Sequence, residues 1–228
     1  MKTYTYTLLF ILAAFTVKGQ QSEVVKVLNR FQIDTSVLHH KAKENAAAMA
    51  FDLKQVTRTS ASEKIALALF DGSKPDGNKW NLNSVNGKQP SLGQVKSFLK
   101  AHPVAPLIPV IDQNSYKIVS DKDDQLVVEF RYDADKLSPE NLFMKDCKGQ
   151  LFINAKTKLL EKQIIQNMAP LKVNGIKIAK LLTVSTFTFN QGLKQYLPLM
   201  ETTNMVIQLL ALTSDSEIIS EYSNYKNP

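Results

Sequence analysis

Few side chains in this sequence could do chemistry alone. The candidates are one cysteine, Cys147, three histidines, His39, His40 and His102, and two clusters of aspartates. A single cysteine excludes an internal disulfide framework and a four-thiolate zinc site. His39 and His40 are adjacent, and adjacent helical side chains diverge by about 100°, so the pair cannot chelate one metal and reads as solvated helix residues. His102 precedes a proline with no evident carboxylate partner. No G-x-S-x-G elbow, H-E-x-x-H motif or locally supported Cys–His pair occurs. Gly72 to Gly77 has phosphate-loop spacing, but Asn78 stands where the lysine must be, so the segment reads as a turn. General acid–base work on a glycoside needs two carboxyls roughly 5 to 9.5 Å apart across a cleft. Asp121, Asp123 and Asp124, like Asp133 and Asp135, instead read as hairpin turns, and the calcium-loop order of acids and glycine is missing. A hydrolase would need His102 or these aspartates to converge on a nucleophile. The expectation is a non-catalytic protein with no cofactor and no metal site.

Apolar residues are the richer resource. Phe143, Phe152, Phe187, Phe189, Leu181, Met200 and Met205 exceed what one half-exposed sheet needs. A curved sheet lined this way, with helices across it, can enclose an apolar cavity, and methionines adapt to irregular guests. The same residues could also fill a solid core.

The elements that would position them follow from period. Residues 23–50 read as helical: Val24, Val25, Val27, Leu28 and Phe31 recur at helical spacing, Thr35 and Ser36 offer a break and an N-cap, and a second helix runs through His39 to the alanines at 46 to 48. From Phe51 the period becomes 2, and residues 65–70 supply the partner strand of a hairpin. Residues 71–90, punctuated by Gly72, Pro75, Gly77, Gly87 and Pro90, read as irregular and carry the only tryptophan, Trp80. Ser91 and Gln94 have capping-box spacing for a helix whose buried stripe is Leu92, Val95, Phe98 and Leu99, ended by Pro103. The segment 103–109 reads as a proline-rich connector. After Tyr116 an antiparallel meander is expected. Leu126, Val128, Phe130 and Tyr132 point inward, and further strands fall at 141–145, 150–155, 158–168, 176–190, 203–213 and 217–225. Residues 146–149 read as a polar turn, and 205–212 as a strand covered on both faces. The apolar parity changes within 176–189, from even positions (Ile176, Ile178, Leu182, Val184) to Phe187 and Phe189. A bulge would explain that shift, and so would packing on both faces.

Length and composition bound the class. The chain has 228 residues, 44% hydrophobic and 21% charged, which fits one domain or two small ones and excludes collagen-like, low-complexity and disordered chains. Residues 1–19 have the layout of a secretory signal peptide: Lys2, an apolar stretch at 8–15, then small residues before Gln20. That stretch is well short of the roughly 20 residues that span a bilayer, so no permanent transmembrane segment is expected. A formal charge of +7 falls to +5 without Lys2 and Lys18, and the surplus is nearly all scattered lysine. Nucleic-acid binders cluster charge and favour arginine, so no nucleic-acid partner is expected. The reading is a periplasmic or secreted protein.

Order and phrasing together resemble a known superfamily. A signal, a leading helix, a hairpin, a helical interruption and a long antiparallel meander are similar to the LolA-like periplasmic lipoprotein carriers. The phrases concerned are Gly149-Gln150-Leu151-Phe152-Ile153-Asn154, Ile176-Lys177-Ile178-Ala179-Lys180-Leu181 and Glu221-Tyr222-Ser223-Asn224-Tyr225, with segments 70–80 and 85–90 resembling uncharacterised exported proteins of that fold. The resemblance spans residues 46–226. It implies a mainly β (α+β) fold, a curved antiparallel sheet or incomplete β-barrel covered by helices, which holds acyl chains and does no catalysis. No arginine here matches the ligand-contacting arginine of the true carriers, so the wider implication is binding of a lipid, a lipidated protein or another apolar ligand. The expected organisation is 1–19 signal peptide, 20–45 helical segment, and 46–226 LolA-like β domain with a helical insertion near 91–101. Trp80, Phe98, Phe130, Phe143, Phe187, Phe189 and Met205 are the expected cavity residues. The alternative is a solid-core envelope module that contacts another protein through the 71–90 loop and Trp80.

Overall fold

The computed structural model describes residues 23–104, 108–173, 175–209 and 212–227. The expected signal peptide and part of the proline-rich connector lie outside them. Residues 23–30 form helix α1, a 3-10 turn follows at Thr35–His39 with Asp34 as its N-cap, and Ala42–Ala47 form the short helix α2. The helical stretch stops before Ala50, where the first strand begins.

Eleven strands then build one antiparallel sheet: β1 Ala50–Thr59, β2 Glu63–Asp71, β3 Trp80–Val85, β4 Lys117–Lys122, β5 Gln125–Phe130, β6 Cys147–Asn154, β7 Leu160–Asn167, β8 Leu171–Val173, β9 Ile176–Asn190, β10 Gln195–Leu209 and β11 Leu212–Lys226. Their order is β3-β2-β1-β11-β10-β9-β7-β6-β5-β4, with β8 paired to β9. The sheet does not close: β3 and β4 are its two edges. This is the expected class, mostly strand with a few helices. β1 and β2 pair from Ala50↔Asp71 to Arg58↔Glu63, so Phe51 faces Phe70 and Leu53 faces Ala68. Helix α3, Leu92–Ala101, starts on a full capping box between Ser91 and Gln94.

Bulges re-aim the strands. Val206 pairs Lys180 and Ile207 pairs Ile178, leaving Ala179 as the extra residue of β9. Asn167 stitches this bulge: its Nδ2 donates to the Ala179 carbonyl at 3.1 Å and its Oδ1 accepts from the Leu181 amide at 2.7 Å. Parity therefore changes at Ala179, earlier than the sequence pattern placed it. Ile176 and Leu182 are exposed, while Leu181, Thr183, Ser185 and Phe187 turn inward.

Several expectations need correction. The 71–90 segment is not irregular throughout, because Trp80-Asn81-Leu82 alternates and pairs with β2. Residues 141–145 are not a strand: Pro139–Asp146 is a 3-10 helix with proline in its first turn, a position that needs no amide donor. The supposed turn at 146–149 opens β6, where Cys147 and Gly149 belong to its buried face. Residues 203–209 end the long strand β10, and Leu212 and Thr213 open β11. Met205 to Gln208 are only half-buried and Leu212 is 75% exposed, so these residues are not covered on both faces. In α3 only Phe98 is buried; Leu92 is 82% exposed. Phe152 points outward beneath the Lys162 ammonium, 4.3 Å from its ring centroid, and Met200 is exposed as well.

The inner face carries two hydrophobic clusters. Toward β4, Leu126, Val128, Phe130, Leu151 and Ile153 are completely buried beneath α1, whose own Leu28 is buried against them. Phe130 lies directly across from Gly149, and a Cβ on Gly149 would fall 2.0 Å from the ring. Toward β3, an aromatic cluster gathers Phe51, Phe70, Trp80, Phe98, Tyr222 and Tyr225.

Candidate functional site

Between these clusters and the crossing helices, the protein's own side chains leave two cavities on the inner face of the sheet. The first, about 440 Å³, lies on the aromatic side between β1, β2, β3, β10 and β11, roofed by α2 and the end of α3. The second, about 560 Å³, lies over β7, β9 and β10 beneath the 3-10 turn and the segment around Ile108 to Ile111. Both fall within the range usual for small-molecule sites.

Their walls are mostly apolar, with polar groups at fixed places. Lys43 of α2 and Glu201 of β10 belong to both cavities, and their ion pair of 2.8 Å stands between them. Glu201 also accepts from Ser185 Oγ at 3.1 Å, and the Thr183 and Thr203 hydroxyls meet at 3.1 Å. Burial works against the Lys43 charge, but attraction to Glu201, with Tyr222 adding to it, outweighs burial and raises the Lys43 pKa. Asn45 anchors α2 by donating to the Tyr196 carbonyl at 3.0 Å.

His39 and His40 line the second cavity and His102 the first, and His40 and His102 are neutral in opposite tautomers. In the second cavity His40 Nε2 faces Gln163 Oε1 at 3.1 Å and Nδ1 accepts from the Ala42 amide at 3.3 Å, which places the proton on Nε2. Burial holds its pKa down at about 4, against the bond to Gln163. In the first cavity His102 Nδ1 donates to the Phe98 carbonyl at 2.9 Å, and Nε2 faces Gln55 Nε2 at 3.1 Å. Burial lowers the His102 pKa as well, against its bond to that carbonyl. Reading His39 and His40 alike as solvated therefore fails for His40, which packs on Phe187 with ring centroids 4.6 Å apart.

The seven expected lining residues divide. Trp80 and Met205 line the first cavity; Phe143 and Phe187 line the second. Phe98 packs beside Trp80 at 5.4 Å and stacks on His102, behind the wall. Phe130 is wholly buried in the aliphatic cluster and lines neither cavity, because Gly149 opposite leaves it room to lie flat against the sheet. Phe189 packs on Tyr196, also away from both. Trp80 is not displayed on a loop; its ring meets Phe51, Phe70, Phe98 and His102. The lining groups that the sequence reading missed are Lys43, Glu201, His40 and Gln163. Glu201 had a signal: it shares strand parity with Thr203 and Met205, a charge on an inward row.

The remaining candidates are structural. Asp123 and Asp124 adopt left-handed backbone in the β4–β5 turn, and Asp121 and Asp124 pair with Arg30 and Lys156. Asp133 caps a 3-10 turn by accepting from the Asp135 amide and pairs with Lys136. Cys147 is buried, and burial pushes its thiol pKa up to about 11. Among the described residues no helix is long and apolar enough to cross a membrane.

The chain matches no protein-family model, and no curated protein matches it significantly. Among solved structures it is similar to the MucA/MucB complex of Pseudomonas aeruginosa, at 11% identity and a TM-score of 0.20, covering 82% of this chain and 93% of that one. A superposition that loose carries no argument about fold or partner. The LolA-like resemblance thus rests on sequence pattern alone.

Proposed function

We propose that this is an exported, non-catalytic binding protein that takes a lipid, a lipidated protein or another apolar molecule between the sheet and its helices, as carrier or sensor. The observation that carries this reading is the pair of cavities of about 440 and 560 Å³ on one sheet face, walled mainly by apolar side chains. Acyl chains transfer at about 0.8 kcal/mol per buried CH₂ and need no directed polar contact, which suits such walls. The ionisable groups beside the cavities support a binding role too. His40 and His102 use both ring nitrogens in neutral hydrogen bonds, so each is committed to holding structure. The rival reading, a contact loop at 71–90, is weakened because β3 occupies part of that segment and Trp80 faces the core.

The test is mass spectrometry of an organic extract of the purified protein, followed by titration of the delipidated protein with a fluorescent fatty acid. Co-purified lipid and saturable uptake are expected. An empty extract together with no uptake contradicts the reading.

A further inference from the structure

We propose that the projecting end of β9, β10 and β11 docks on an anionic membrane surface, with Lys172, Lys177 and Lys180 among the headgroups and Ile176 and Leu212 entering the interface. Such docking needs nothing from the cavities. Three strands reach past their neighbours at this end. On one side β1 ends at Thr59, opposite Ser216, so residues 212–215 of β11 run beyond it. On the other side β7 last pairs at Gln166↔Leu182, and only the three-residue β8 flanks the start of β9. One face of the tip is basic. Lys172 and Lys177 lie directly opposite each other, and the Ala179 bulge turns Lys180 to the same face. Like charges so placed repel, yet among the described residues none of the three lysines forms an ion pair. Asp215 shares their face but stands across β10 from Lys180, with Val206 between them, and Glu217 is held by Arg58. The opposite face is apolar. Ile176 and Leu212 stand on it, each one residue outward of the Lys177–Gln208–Thr213 row, and they are 39% and 75% exposed.

Charge and hydrocarbon on opposite faces of one tip select the partner. An acidic protein seated on the lysines would leave Ile176 and Leu212 in water. A lipid surface surrounds a projecting tip and takes both faces at once, hydrocarbon in the interface and ammonium groups at headgroup level. Each lysine beside such a surface contributes about fivefold in affinity, and salt screens that attraction.

The test is co-sedimentation of the protein with vesicles of phosphatidylcholine alone and of phosphatidylcholine with an equal part of phosphatidylglycerol. Binding is expected to the mixed vesicles only, and it should fall between about 0.1 M and 1 M salt as the Debye length shrinks from roughly 10 to 3 Å. Lys172→Gln, Lys177→Gln and Lys180→Gln together should weaken binding about hundredfold, and Leu212→Ser about tenfold. Lys96→Gln with Lys100→Gln, on the exposed side of α3, should leave it unchanged. No binding to the mixed vesicles, equal binding to both kinds, or a triple variant that binds like the unaltered protein overturns the proposal. So does full binding by Leu212→Ser, which assigns the lysines to an acidic partner instead. Fatty-acid uptake is read separately in every variant, so lost vesicle binding with uptake intact is the expected outcome at the tip and leaves the cavity reading standing. All four replaced side chains are exposed; should the triple variant still fail to fold, Leu212→Ser and the salt dependence decide.

Discussion

The two ends of the sheet solve the same packing problem differently. Toward β4 the inner face under α1 is filled mainly with aliphatic side chains, and Phe130 lies flat among them with Tyr116 and Tyr132 against its ring. Toward β3 it is filled with rings, Phe51 stacked on Phe70 and Trp80 edge-on to both and to Phe98, and the closing element is α3, which buries a single side chain of its own. The difference teaches which part sets the fold and which yields: the end under α1 holds the sheet, and a guest finds room over the middle strands and toward β3, beneath the 3-10 turn, α2 and the end of α3.

The largest expected effect breaks the aliphatic end. Phe130→Ala should cost about 4 kcal/mol in urea unfolding, because a wholly buried ring leaves a cavity. Gly149→Ala should cost about 3 kcal/mol by forcing that ring off the sheet, while Gly77→Ala, with nothing near its Cβ, should stay within about 0.5 kcal/mol. Combining Phe130→Ala with Gly149→Ala should cost clearly less than the two separately, since the clash disappears with the ring. Simple additivity would show that Gly149 serves some other purpose.

Acid should weaken the protein through its histidines. The folded pKa of His40 is depressed to about 4 from an unfolded value near 6.5, so the unfolded chain takes up the proton first. The stability it supports is complete above about pH 6.5 and is lost as pH falls toward 4, up to about 3 kcal/mol. His102 acts in the same direction from the other cavity. Unfolding curves between pH 4 and 8 should therefore steepen below 6.5, and His40→Leu should flatten that slope. An unchanged slope in the variant would mean that carboxylates cause it.

A smaller effect separates the ends. Ser91→Ala removes half of the capping box on α3 and should cost about 1 kcal/mol. Because Trp80 is the only tryptophan and packs against Phe98, its emission should report this loosening at low urea, before far-UV circular dichroism changes. Coincident transitions would mean that the two ends unfold as one. The smallest effect concerns the wall between the cavities. Lys43 is half exposed, so Lys43→Ala should cost at most about 1 kcal/mol, and Lys43→Ala with Glu201→Ala should recover part of it in the same urea assay.

How much of this was legible depends on how local each signal is. The β1–β2 hairpin, the capping box at Ser91 and the bounds of β9 follow from neighbours in sequence and appear where expected. Strand β3 was hidden because its short alternation, Trp80-Asn81-Leu82-Asn83, sits among glycines and prolines that mark turns. Residues 141–145 were misread because a short apolar run, Leu142-Phe143-Met144, looks the same in a strand and a 3-10 turn, and Pro139 was the hint. Of the seven expected cavity residues four reach a wall. Phe130 does not, since its place depends on Gly149 across the sheet, a pairing that no local pattern announces. The wall itself combines a lysine from α2 with a glutamate 158 positions later, and only the folded order β11-β10-β9 brings α2 over that strand.

The central claim is that the volume left on the inner face receives hydrocarbon. Trp80 lines the first cavity and is the only tryptophan, so its fluorescence can be titrated with a brominated fatty acid, whose heavy atoms quench on contact. The account predicts saturable quenching that the unbrominated acid reverses by competition. Emission that stays unquenched while the delipidated protein remains folded would contradict it.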